Sequence, residues 1–551
     1  MSTTSDLTDL IAAARAWTAQ DPDPETRAEL TSLADHATID NEAAAELADR
    51  FAGRLAFGTA GLRGALGAGP HRMNRVVVAQ AAAGLAAYLR QHPVAGQSGV
   101  VIGYDARHGS ATFARDTAEI MRGAGIPAYV LPRPLPTPVL AYAIRPLHCA
   151  AGVMVTASHN PPQDNGYKVY LGDGSQIVPP ADSDIAAAID SVGPVAELPR
   201  AADYTVLGES VVDDYVAAVA GLAAGRPRDI AFAYTPLHGV GASVVRAVIQ
   251  RTGFGPCHET SEQIEPDPDF PTVAFPNPEE PGAMDLALAT AEHTGADLAI
   301  ANDPDADRLA VAVPGVHGWR LLSGDEIGAL LADHALRQGI EGTFATTIVS
   351  SSLLGRMADA HDQPYVETLT GFKWLSRVDG LAFAYEEALG YCLAPAIARD
   401  KDGISALVRM LELAAELKAA RKTLLDRLDE IAERYGVHAT DQVSVRVADL
   451  SLIADAMARL RSDPPVTLGG LSVETVDDLA GGSATLPPTD GLRFRMADGA
   501  RVVVRPSGTE PKLKAYLEVV VRVSDGVDAA RIAAAGRLDA IRADLAATLA
   551  L

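Results

Sequence analysis

The spacing of hydrophobic residues changes along the chain, and this change predicts a helical segment followed by a long α/β region. In residues 1–50 apolar side chains recur at helical spacing, and two Asp-Pro dipeptides interrupt the pattern at residues 21–24. From residue 51 onward short apolar runs alternate with amphipathic segments, which predicts strands alternating with helices. Residues 1–50 are therefore interpreted as an N-terminal helical extension.

The region after residue 51 repeats a strand–helix–strand pattern. Its predicted helices cover 111–122, 242–252 and 327–337, and its predicted strands cover 99–104, 128–131, 150–155, 230–234, 297–301, 346–349 and 381–385. Such repeats favour mainly parallel, doubly wound sheets. In sheets of this kind ligands bind beyond the carboxyl ends of the strands, so the loops that follow strands are the first places to look for chemistry.

The last part of the chain has a different character. A long charged helical stretch at 404–435 precedes a segment with predicted strands at 443–447, 502–505 and 515–521, which is typical of an α+β domain. A chain of 551 residues exceeds what one hydrophobic core supports. The predicted fold class is α/β with four domains. Three doubly wound mixed α/β domains cover 51–207, 208–322 and 323–438, and a C-terminal α+β domain covers 439–551.

Composition and charge exclude several classes of protein. No apolar run approaches the ~20 residues that span a bilayer, and the N-terminus lacks the basic and apolar segments of a signal peptide. Cys149, Cys257 and Cys392 are too few and too far apart for a disulfide framework or a cysteine zinc site. The net charge of −25 disfavours nucleic acid and anionic membranes as partners. We expect a cytoplasmic protein that gathers its few cations locally around an anionic substrate.

The segment Thr156-Ala-Ser-His-Asn-Pro161 places Ser158 directly after a buried predicted strand. A serine hydroxyl is a weak nucleophile unless a base, a metal or a covalent phosphate changes its role. The hydrolase elbow needs glycines two residues before and after the serine, and this chain has Thr156 and Asn160 there. In an extended backbone His159 points away from Ser158, so a simple Ser–His pair is not supported. Alone, the segment is more typical of a strand-end turn; a turn at Asn165-Gly166 would return Lys168 towards the serine.

Three carboxylates alternate in Asn302-Asp-Pro-Asp-Ala-Asp-Arg308, and Pro304 prevents a helix there. Alternation in an extended segment would direct Asp303, Asp305 and Asp307 to one side, where they repel one another unless a cation lies between them. Hard oxygen ligands suit Mg²⁺. A calcium-binding loop needs Gly at its sixth position and Glu at its twelfth, where this chain has Arg308 and Pro314. A solvated acidic loop remains the alternative.

Two later loops carry groups that suit a phosphosugar. Residues 505–512, Arg-Pro-Ser-Gly-Thr-Glu-Pro-Lys, combine two cations, two hydroxyls and a glycine, a set that favours phosphate binding, although a structural turn is possible. Glu386 and Glu387 follow a predicted strand and can accept hydrogen bonds from vicinal sugar hydroxyls, although a solvated loop explains them equally well. Residues 370–374 and 399–403 are loops of similar polar character.

These four motifs in this order resemble the α-D-phosphohexomutase superfamily, the family of phosphoglucomutase and phosphomannomutase. The segment Phe57-Gly-Thr-Ala-Gly-Leu-Arg-Gly64 is similar to the family's N-terminal active-site segment. The resemblance covers nearly the whole chain and implies a heart-shaped architecture with a central cleft. It also implies a phosphorylated Ser158 and a Mg²⁺ ion held by that residue with Asp303, Asp305 and Asp307.

The resemblance assigns further roles residue by residue. Lys168 and Arg63 fall at positions of general acid/base work or charge stabilisation, and Arg308 would support the phosphoserine. The implied substrate ligands are Arg308, Thr370, Gly371, Lys373, Glu386, Glu387, Lys401, Arg505, Ser507, Gly508, Thr509 and Lys512. Many family members have serine where this chain has Ala388, and the Glu-Glu-Ala-Leu-Gly-Tyr form is similar to a branch with phosphoglucomutases and phosphopentomutases.

The resemblance therefore implies interconversion of glucose 1-phosphate and glucose 6-phosphate through phosphoserine and a bisphosphorylated sugar. Glucose 1,6-bisphosphate is the implied activator, small phosphosugars are the implied partners, and a monomer or weak homodimer is expected. Phosphomannomutase or phosphopentomutase activity is the alternative. A Mg²⁺-dependent sugar phosphatase and a non-catalytic sugar-phosphate sensor are the competing classes.

Overall fold

Four β-sheets, each with helices packed against it, organise the chain. The structure is a computed structural model that describes residues 4–225, 227–447, 451–507 and 512–549. The sheets group into two units. Unit 1 consists of Met1–Leu321 and Cys392–Glu412, and unit 2 of Leu322–Tyr391 and Leu413–Leu551.

The first sheet follows three N-terminal helices and carries the Ser158 segment. Its helices are α1 (Thr4–Gln20), α2 (Pro24–His36), α3 (Asn41–Arg50), α4 (Arg75–Gln91), α5 (Ser110–Gly123), α6 (Thr137–Ile144) and α7 (Ala181–Asp190). Its strands are β1 (Leu62–Ala65), β2 (Val100–Tyr104), β3 (Ala128–Val130), β4 (Ala151–Val155), β5 (Asp164–Leu171) and β6 (Thr205–Val206), in the spatial order β1-β5-β4-β2-β3-β6. Strands β4, β2, β3 and β6 are parallel, whereas β5 is antiparallel to both of its neighbours.

The N-terminal extension is helical, as predicted, and belongs to the core of this sheet. Ala14, Trp17, Leu30 and Leu47 are buried in one hydrophobic cluster with residues of α4 and β2. The Asp-Pro break separates α1 from α2, where the Asp23 side chain accepts a hydrogen bond from the Glu25 N–H and caps α2.

The second sheet carries the acidic loop. Its helices are α8 (Ser210–Ala220), α9 (Ala242–Thr252) and α10 (Asp285–Thr294). Its strands are β7 (Asp229–Thr235), β8 (Gly255–Glu259), β9 (Leu298–Ala301), β10 (Ala310–Gly315) and β11 (Gly318–Leu321), in the order β11-β10-β9-β7-β8. Strands β8, β7 and β9 are parallel, and β10 and β11 add an antiparallel hairpin.

The third sheet precedes two long helices. Its strands are β12 (Thr343–Thr347), β13 (Tyr365–Thr368), β14 (Leu381–Glu386) and β15 (Gly390–Cys392), in the order β13-β12-β14-β15. The helices are α11 (Gly324–Arg337), α12 (Leu353–Asp359), α13 (Phe372–Leu375), α14 (Gly403–Ala419) and α15 (Leu424–Tyr435). The single helical stretch predicted at 404–435 is wrong, because Arg421 has a φ of +58° and Thr423 begins α15 with a capping box completed by Asp426.

The fourth sheet is antiparallel where its pairing is described, as expected for an α+β domain. Its strands are β16 (Val437–Arg446), β17 (Thr467–Leu468), β18 (Leu471–Asp478), β19 (Leu492–Met496), β20 (Arg501–Pro506) and β21 (Lys512–Val521), in the order β16-β21-β20-β19-β18-β17. Helices α16 (Ser451–Ser462) and α17 (Val527–Leu549) complete it. Strand β16 is about twice the predicted length, because polar residues from His438 to Gln442 continue the pairing with β21.

The four-domain α/β architecture is confirmed, while the exact boundaries at 207, 322 and 438 stay a prediction. Within the described residues no helix combines the length and the apolar character that a membrane span requires. The three cysteines are free thiols, and two of them, Cys149 and Cys392, are buried.

A buried charge network joins the third and fourth sheets inside unit 2. The Glu518 carboxylate of β21 accepts hydrogen bonds from the Ser351 hydroxyl at 2.7 Å and from the Ser352 N–H at 2.8 Å, both in the loop after β12. Arg501 of β20 lies 2.6 Å from Glu518 and donates to the carbonyls of Ile348 and Ser350. Burial alone would raise the pKa of Glu518, but Arg501, and then His438 and Ser351, lower it to about 2.

We expect Glu518→Gln to lower the free energy of unfolding of unit 2 by roughly 3 kcal/mol, because it leaves the Arg501 guanidinium buried beside a neutral amide. The stability that Glu518 contributes is present above the ordinary carboxyl pKa of 4.5 and is lost as the pH falls from there towards 2. Calorimetry of both proteins across this window measures the effect.

The control is Asp441→Asn, which removes an exposed ion pair with Arg542 at the same sheet. It is expected to change stability little. Equal losses in the two variants, or an unchanged pH dependence in Glu518→Gln, would contradict the expected role of the network.

Candidate active site

Two loops of unit 1 meet beyond the carboxyl ends of parallel strands. Residues 156–161 follow β4, which is parallel to β2, and residues 302–308 follow β9, which is parallel to β7. The hydroxyl of Ser158 donates a hydrogen bond of 2.7 Å to Asp303 Oδ2. The structure therefore brings the predicted serine and the predicted acidic loop into direct contact.

Ser158 occupies a tight turn rather than an extended segment. Its φ is +52°, and its N–H donates to Thr156 Oγ1 at 2.9 Å. This turn brings His159 Nδ1 to 3.2 Å from Ser158 Oγ, so the expectation that His159 points away is wrong. Burial, and then the neighbouring Arg308 and Arg63, hold the pKa of His159 well below its usual value. His159 is therefore a neutral hydrogen-bonding neighbour of Ser158.

The three aspartates converge through a turn, not through the extended alternation that the sequence suggested. The Ala306 N–H donates to the Asp303 carbonyl at 2.8 Å, and Ala306 has a φ of +53°. The three carboxylates are fully buried, and one oxygen from each lies within 4.8 Å of the others. Among the described residues this is the one cluster of three or more such side chains.

Each aspartate keeps one oxygen occupied by protein donors. Asp305 Oδ2 accepts from Thr137 Oγ1 at 2.6 Å and from Lys168 Nζ at 2.7 Å. Lys168 also donates to Asp307 Oδ2 at 3.1 Å, and Lys401 Nζ lies 3.2 Å from the same oxygen. Asp303 Oδ1 accepts from the Arg308 N–H at 3.0 Å. These contacts fix the orientation of the carboxylates.

The remaining oxygens of two aspartates suit a cation. Asp305 Oδ1 and Asp307 Oδ1 are buried and have no hydrogen-bond partner within the described part of the chain. Oriented carboxylate oxygens that accept no hydrogen bond are the ligands that a hard divalent cation requires. The cluster can therefore hold a metal ion. Asp303 Oδ2, which accepts the hydrogen bond from Ser158, would be the third ligand oxygen.

The pKa values of the groups in the aspartate cluster also favour a bound cation. Burial, followed by the charges of Asp305 and Asp307, raises the pKa of Asp303 well above its usual value. Burial also opposes the charge of Lys168, but Asp305 and Asp307 outweigh it and raise the pKa of that amine. Lys168 therefore stays protonated beside the aspartates and neutralises part of their charge.

Arg63 reaches the same loop from β1. Its Nη1 donates to Asn160 Oδ1 at 3.1 Å, and β1 pairs with β5, the strand that carries Lys168. The turn predicted at Asn165-Gly166 is wrong, because both residues belong to β5 and pair with β1 and the Ser158 loop. The antiparallel strand delivers Lys168 to the site.

Two residues that contact the site, Thr137 and Arg107, were not predicted from the sequence. Thr137 lies at the start of α6 and Arg107 follows β2, so both lie at strand ends or helix starts where ligands are expected. That position, and for Arg107 the polar run Asp105-Ala-Arg-His108, were the available signals. The contacts themselves, from Thr137 to Asp305 and from Arg107 to the serine loop, are seen only in the structure.

The predicted sugar and phosphate ligands other than Arg308 and Lys401 belong to unit 2. Glu386 ends β14, and the side chain of Glu387 accepts from Ser350 Oγ at 2.9 Å and Thr347 Oγ1 at 3.2 Å. Glu387 is thus engaged within its own domain. Thr370 and Gly371 precede α13, and Lys373 lies within it.

The described ends of the predicted phosphate loop belong to β20 and β21. Arg505 pairs with Lys514 across the hairpin, and the Ser507 N–H donates to the Lys512 carbonyl at 2.8 Å. Gly508 and Thr509 lie outside the described residues.

Two glycines allow backbone to press directly on the acidic loop. A Cβ on Gly239 would lie 2.2 Å from Pro304 Cα, and a Cβ on Gly403 would lie 2.2 Å from the Arg308 carbonyl oxygen. The Val240 N–H also donates to the Pro304 carbonyl at 2.8 Å. The loop is therefore held between two backbone segments that tolerate no side chain.

Comparison with known families accounts for most of the chain. It matches the four "Phosphoglucomutase/phosphomannomutase" domain families in order: alpha/beta/alpha domain I at residues 54–194, domain II at 213–316, domain III at 323–435 and the C-terminal domain at 443–535. The Ser158 and Asp303 loops lie in the first and second of these.

Individual relatives agree on the chemistry but differ in the sugar that they name. The chain is 50% identical to a "Probable phosphomannomutase" of Haemophilus influenzae, over 84% of this chain and 96% of that protein. It is 37% identical to a "Probable phosphoribomutase" of Schizosaccharomyces pombe, over 91% and 92%. The solved structure of a putative phosphomannomutase from Thermus thermophilus is 25% identical, with a TM-score of 0.68 over 88% of this chain and 99% of that one.

We expect Gly239→Ala to weaken divalent-cation binding by about tenfold or more, because the new methyl group must displace Pro304 and, with it, the neighbouring aspartates. Titration with Mn²⁺, followed by electron paramagnetic resonance of the free ion, measures the affinity without reference to activity. Gly208→Ala is the matched control, since a Cβ there meets no atom within 4 Å. An unchanged Mn²⁺ affinity in Gly239→Ala would contradict the expectation, because it would mean that the acidic loop accommodates the methyl group without moving its aspartates.

Proposed function

Since this chain belongs to the phosphoglucomutase/phosphomannomutase family and is a phosphosugar mutase, we propose that Ser158 carries the phosphoryl group that the enzyme moves along its substrate. The observation that carries the proposal is the 2.7 Å hydrogen bond from Ser158 to Asp303 inside the buried aspartate cluster. A serine used only as a turn residue has no need of three buried carboxylates beside its hydroxyl.

The proposed reaction has two transfers. In the first, the phosphorus–oxygen bond to Ser158 Oγ breaks and a new one forms to the free hydroxyl oxygen of a sugar monophosphate. The sugar hydroxyl gives its proton to a base and Ser158 Oγ takes up a proton, and the second transfer reverses both proton movements. In the second, the phosphoryl group at the other end of the bisphosphorylated sugar returns to Ser158. Serine is phosphorylated again and the sugar phosphate is isomerised, so atoms and charge balance over the cycle.

We propose Mg²⁺ as the metal, held by one oxygen each of Asp303, Asp305 and Asp307 together with phosphorylated Ser158. The ion supplies charge neutralisation for the phosphoryl group in transit. The chain's own contribution is orientation: Thr137, Lys168 and Lys401 hold the second oxygens of Asp305 and Asp307.

Lys168 and Arg63 suit charge stabilisation better than proton abstraction. Asp305 and Asp307 keep Lys168 protonated, which favours a donor beside a departing oxygen. Arg63 touches Asn160 in the loop that carries the serine and presents a fork suited to phosphate. Arg308 and Lys401 complete the cationic surroundings of the acidic loop within unit 1.

Unit 2 supplies the proposed substrate ligands. Glu386, Thr370, Gly371 and Lys373 are assigned to the sugar. The loop with Arg505, Ser507, Gly508, Thr509 and Lys512 is assigned to the phosphate that is not being transferred. Glu387 is assigned to the sugar as well, and it also steadies the sugar loop, because its Oε2 accepts hydrogen bonds from Ser350 and Thr347.

Glucose 1-phosphate and glucose 6-phosphate are the proposed substrates, with glucose 1,6-bisphosphate as activator. Mannose and pentose phosphates are the alternatives, and Ala388 in place of the serine of many family members leaves them open. We further propose a cytoplasmic enzyme, monomeric or weakly dimeric, which agrees with three free thiols and a net charge of −25.

A sugar phosphatase shares the serine and the acidic loop but predicts a different product. It would release inorganic phosphate steadily, whereas a mutase releases almost none and responds to traces of glucose 1,6-bisphosphate. A sensor would show neither activity nor phosphoserine. Phosphate release, isomerisation and the intact mass of the protein therefore separate the three classes.

We expect Ser158→Ala to lower mutase activity by at least about a thousandfold, because no other group takes over the phosphoryl group. Intact-mass spectrometry after incubation with glucose 1,6-bisphosphate should show one added phosphoryl group on the wild type and none on the variant. Ser191→Ala, which changes an exposed serine at the end of α7, is the control and should behave as the wild type. Full activity in Ser158→Ala would overturn the proposal.

The sugar is tested by kinetics with Mg²⁺ on glucose 1-phosphate, mannose 1-phosphate and ribose 1-phosphate in parallel. We expect kcat/KM to be about tenfold or more higher for glucose 1-phosphate, because hydroxyl-binding carboxylates discriminate between sugars in the transition state. A preference for ribose 1-phosphate or mannose 1-phosphate would replace the proposed substrate and leave the phosphoserine chemistry intact.

A further inference from the structure

Arg107 lies directly beneath the Ser158 turn, and no motif in the sequence singled it out. We propose that Arg107 is a positioning residue, which holds the Ser158 turn in the conformation that aims the serine oxygen at the aspartate cluster. The inference rests on the proposed role of Ser158 and adds a residue that neither the motifs nor the metal loop contain.

The guanidinium group gathers four backbone carbonyls of the loop. Nη2 donates to the carbonyls of Ser158 at 2.6 Å and Asn160 at 2.5 Å. Nη1 donates to the carbonyls of Pro161 at 2.8 Å and Asp164 at 3.2 Å. The contacts span the whole turn from the serine to the start of β5, so one side chain determines the path of the loop.

Arg107 is itself held by Asp105 on one side and by the ring of Phe270 on the other. Its Nε lies 3.4 Å from Asp105 Oδ2, and Asp105 Oδ1 accepts from the Arg107 N–H at 3.0 Å. On the other side the guanidinium stacks on the ring of Phe270, 4.8 Å from its centroid. Phe270 belongs to the loop after β8, so Arg107 connects the serine loop to the domain that carries the aspartates.

The conformation of the Ser158 turn explains why it needs the hydrogen-bond donors of Arg107. Ser158 has a φ of +52°, a conformation that costs an L-residue free energy unless its surroundings compensate. The turn also directs several carbonyls inward, and Arg107 is 4% exposed, so water does not satisfy them. A planar fork with two pairs of donors satisfies these carbonyls together, which a lysine ammonium cannot do.

The position of Ser158 Oγ depends on the same turn. Its hydrogen bond to Asp303 joins two loops from different domains, and a shift of about 1 Å at such a contact can cost on the order of a hundredfold in rate. Asp305 and Asp307 are oriented by Thr137, Lys168 and Lys401, donors that are separate from the Arg107 guanidinium. Asp303 accepts from the Arg308 N–H, which is also independent of Arg107. Loss of Arg107 should therefore slow phosphoryl transfer while leaving the three aspartates in place.

The test compares Arg107→Lys with the wild type in three measurements. We expect single-turnover phosphorylation of Ser158 by glucose 1,6-bisphosphate, followed by intact-mass spectrometry, to slow about a hundredfold. We expect the Mn²⁺ dissociation constant and the KM for the sugar phosphate to change less than about threefold. Slow phosphorylation with an unchanged Mn²⁺ dissociation constant and KM indicates a positioning role. General destabilisation would instead slow phosphorylation, weaken Mn²⁺ binding and raise KM together.

Arg75→Lys is the matched control. Arg75 forms a bidentate pair with the buried Asp116 in the same domain, at 2.7 and 2.9 Å, and lies outside both loops of the site. Its substitution should lower the melting temperature to a similar extent without slowing the phosphorylation of Ser158.

Phe270→Leu is a second variant for the case in which Arg107→Lys does not fold. It removes the stacking ring and keeps the guanidinium, so the phosphorylation rate should fall by an intermediate amount. Phosphorylation at the wild-type rate in a folded Arg107→Lys or Phe270→Leu protein, or an equal slowing in Arg75→Lys, would overturn the inference. Absence of phosphoserine in the wild type would instead overturn the proposed function of Ser158.

Discussion

Three buried carboxylates beside one serine hydroxyl are the constraint on which the rest of unit 1 depends. Like charges removed from water repel strongly, so they persist only where donors and cations surround them. Here the compensating groups come from separate elements: Thr137 from α6, Lys168 from β5 and Lys401 from the segment before α14. Two sheets and a distant loop must therefore pack together before the acidic loop is tolerated.

The same constraint explains why backbone contacts matter as much as side chains around the site. Gly239 and Gly403 allow two segments to touch the acidic loop directly, and the Arg107 fork fills the inside of the serine turn. A phosphoryl carrier gains from such rigidity, because transfer requires the donor oxygen and its electrostatic partners to be aligned beforehand. Unit 2 also compensates a buried charge with an opposite one. There the pair of Glu518 and Arg501 connects two sheets.

The proposed assignments separate mutase chemistry from the choice of sugar. Ser158, the aspartates and Lys168 are proposed to handle the phosphoryl group, which all phosphosugars have in common. A relative named for mannose and one named for ribose are 50% and 37% identical to this chain over most of its length. The residues that they have in common therefore do not identify the sugar. We propose that this choice rests on the loop of unit 2 with Glu386 and Glu387, where Glu387 Oε2 accepts hydrogen bonds from Ser350 and Thr347.

The sequence by itself determined the α/β class, the four domains and the serine and aspartate loops, because strand periodicity and dense clusters of polar residues are local signals. It misjudged what depends on backbone turns: His159 beside Ser158, the path of the aspartates, and the break between α14 and α15. Positive φ angles at Ser158 and Ala306 leave no mark in residue type. Thr137 and Arg107 were revealed only by tertiary structure, and so was the contact of the predicted ligand Lys401 with Asp307, since all these contacts join segments far apart in the chain.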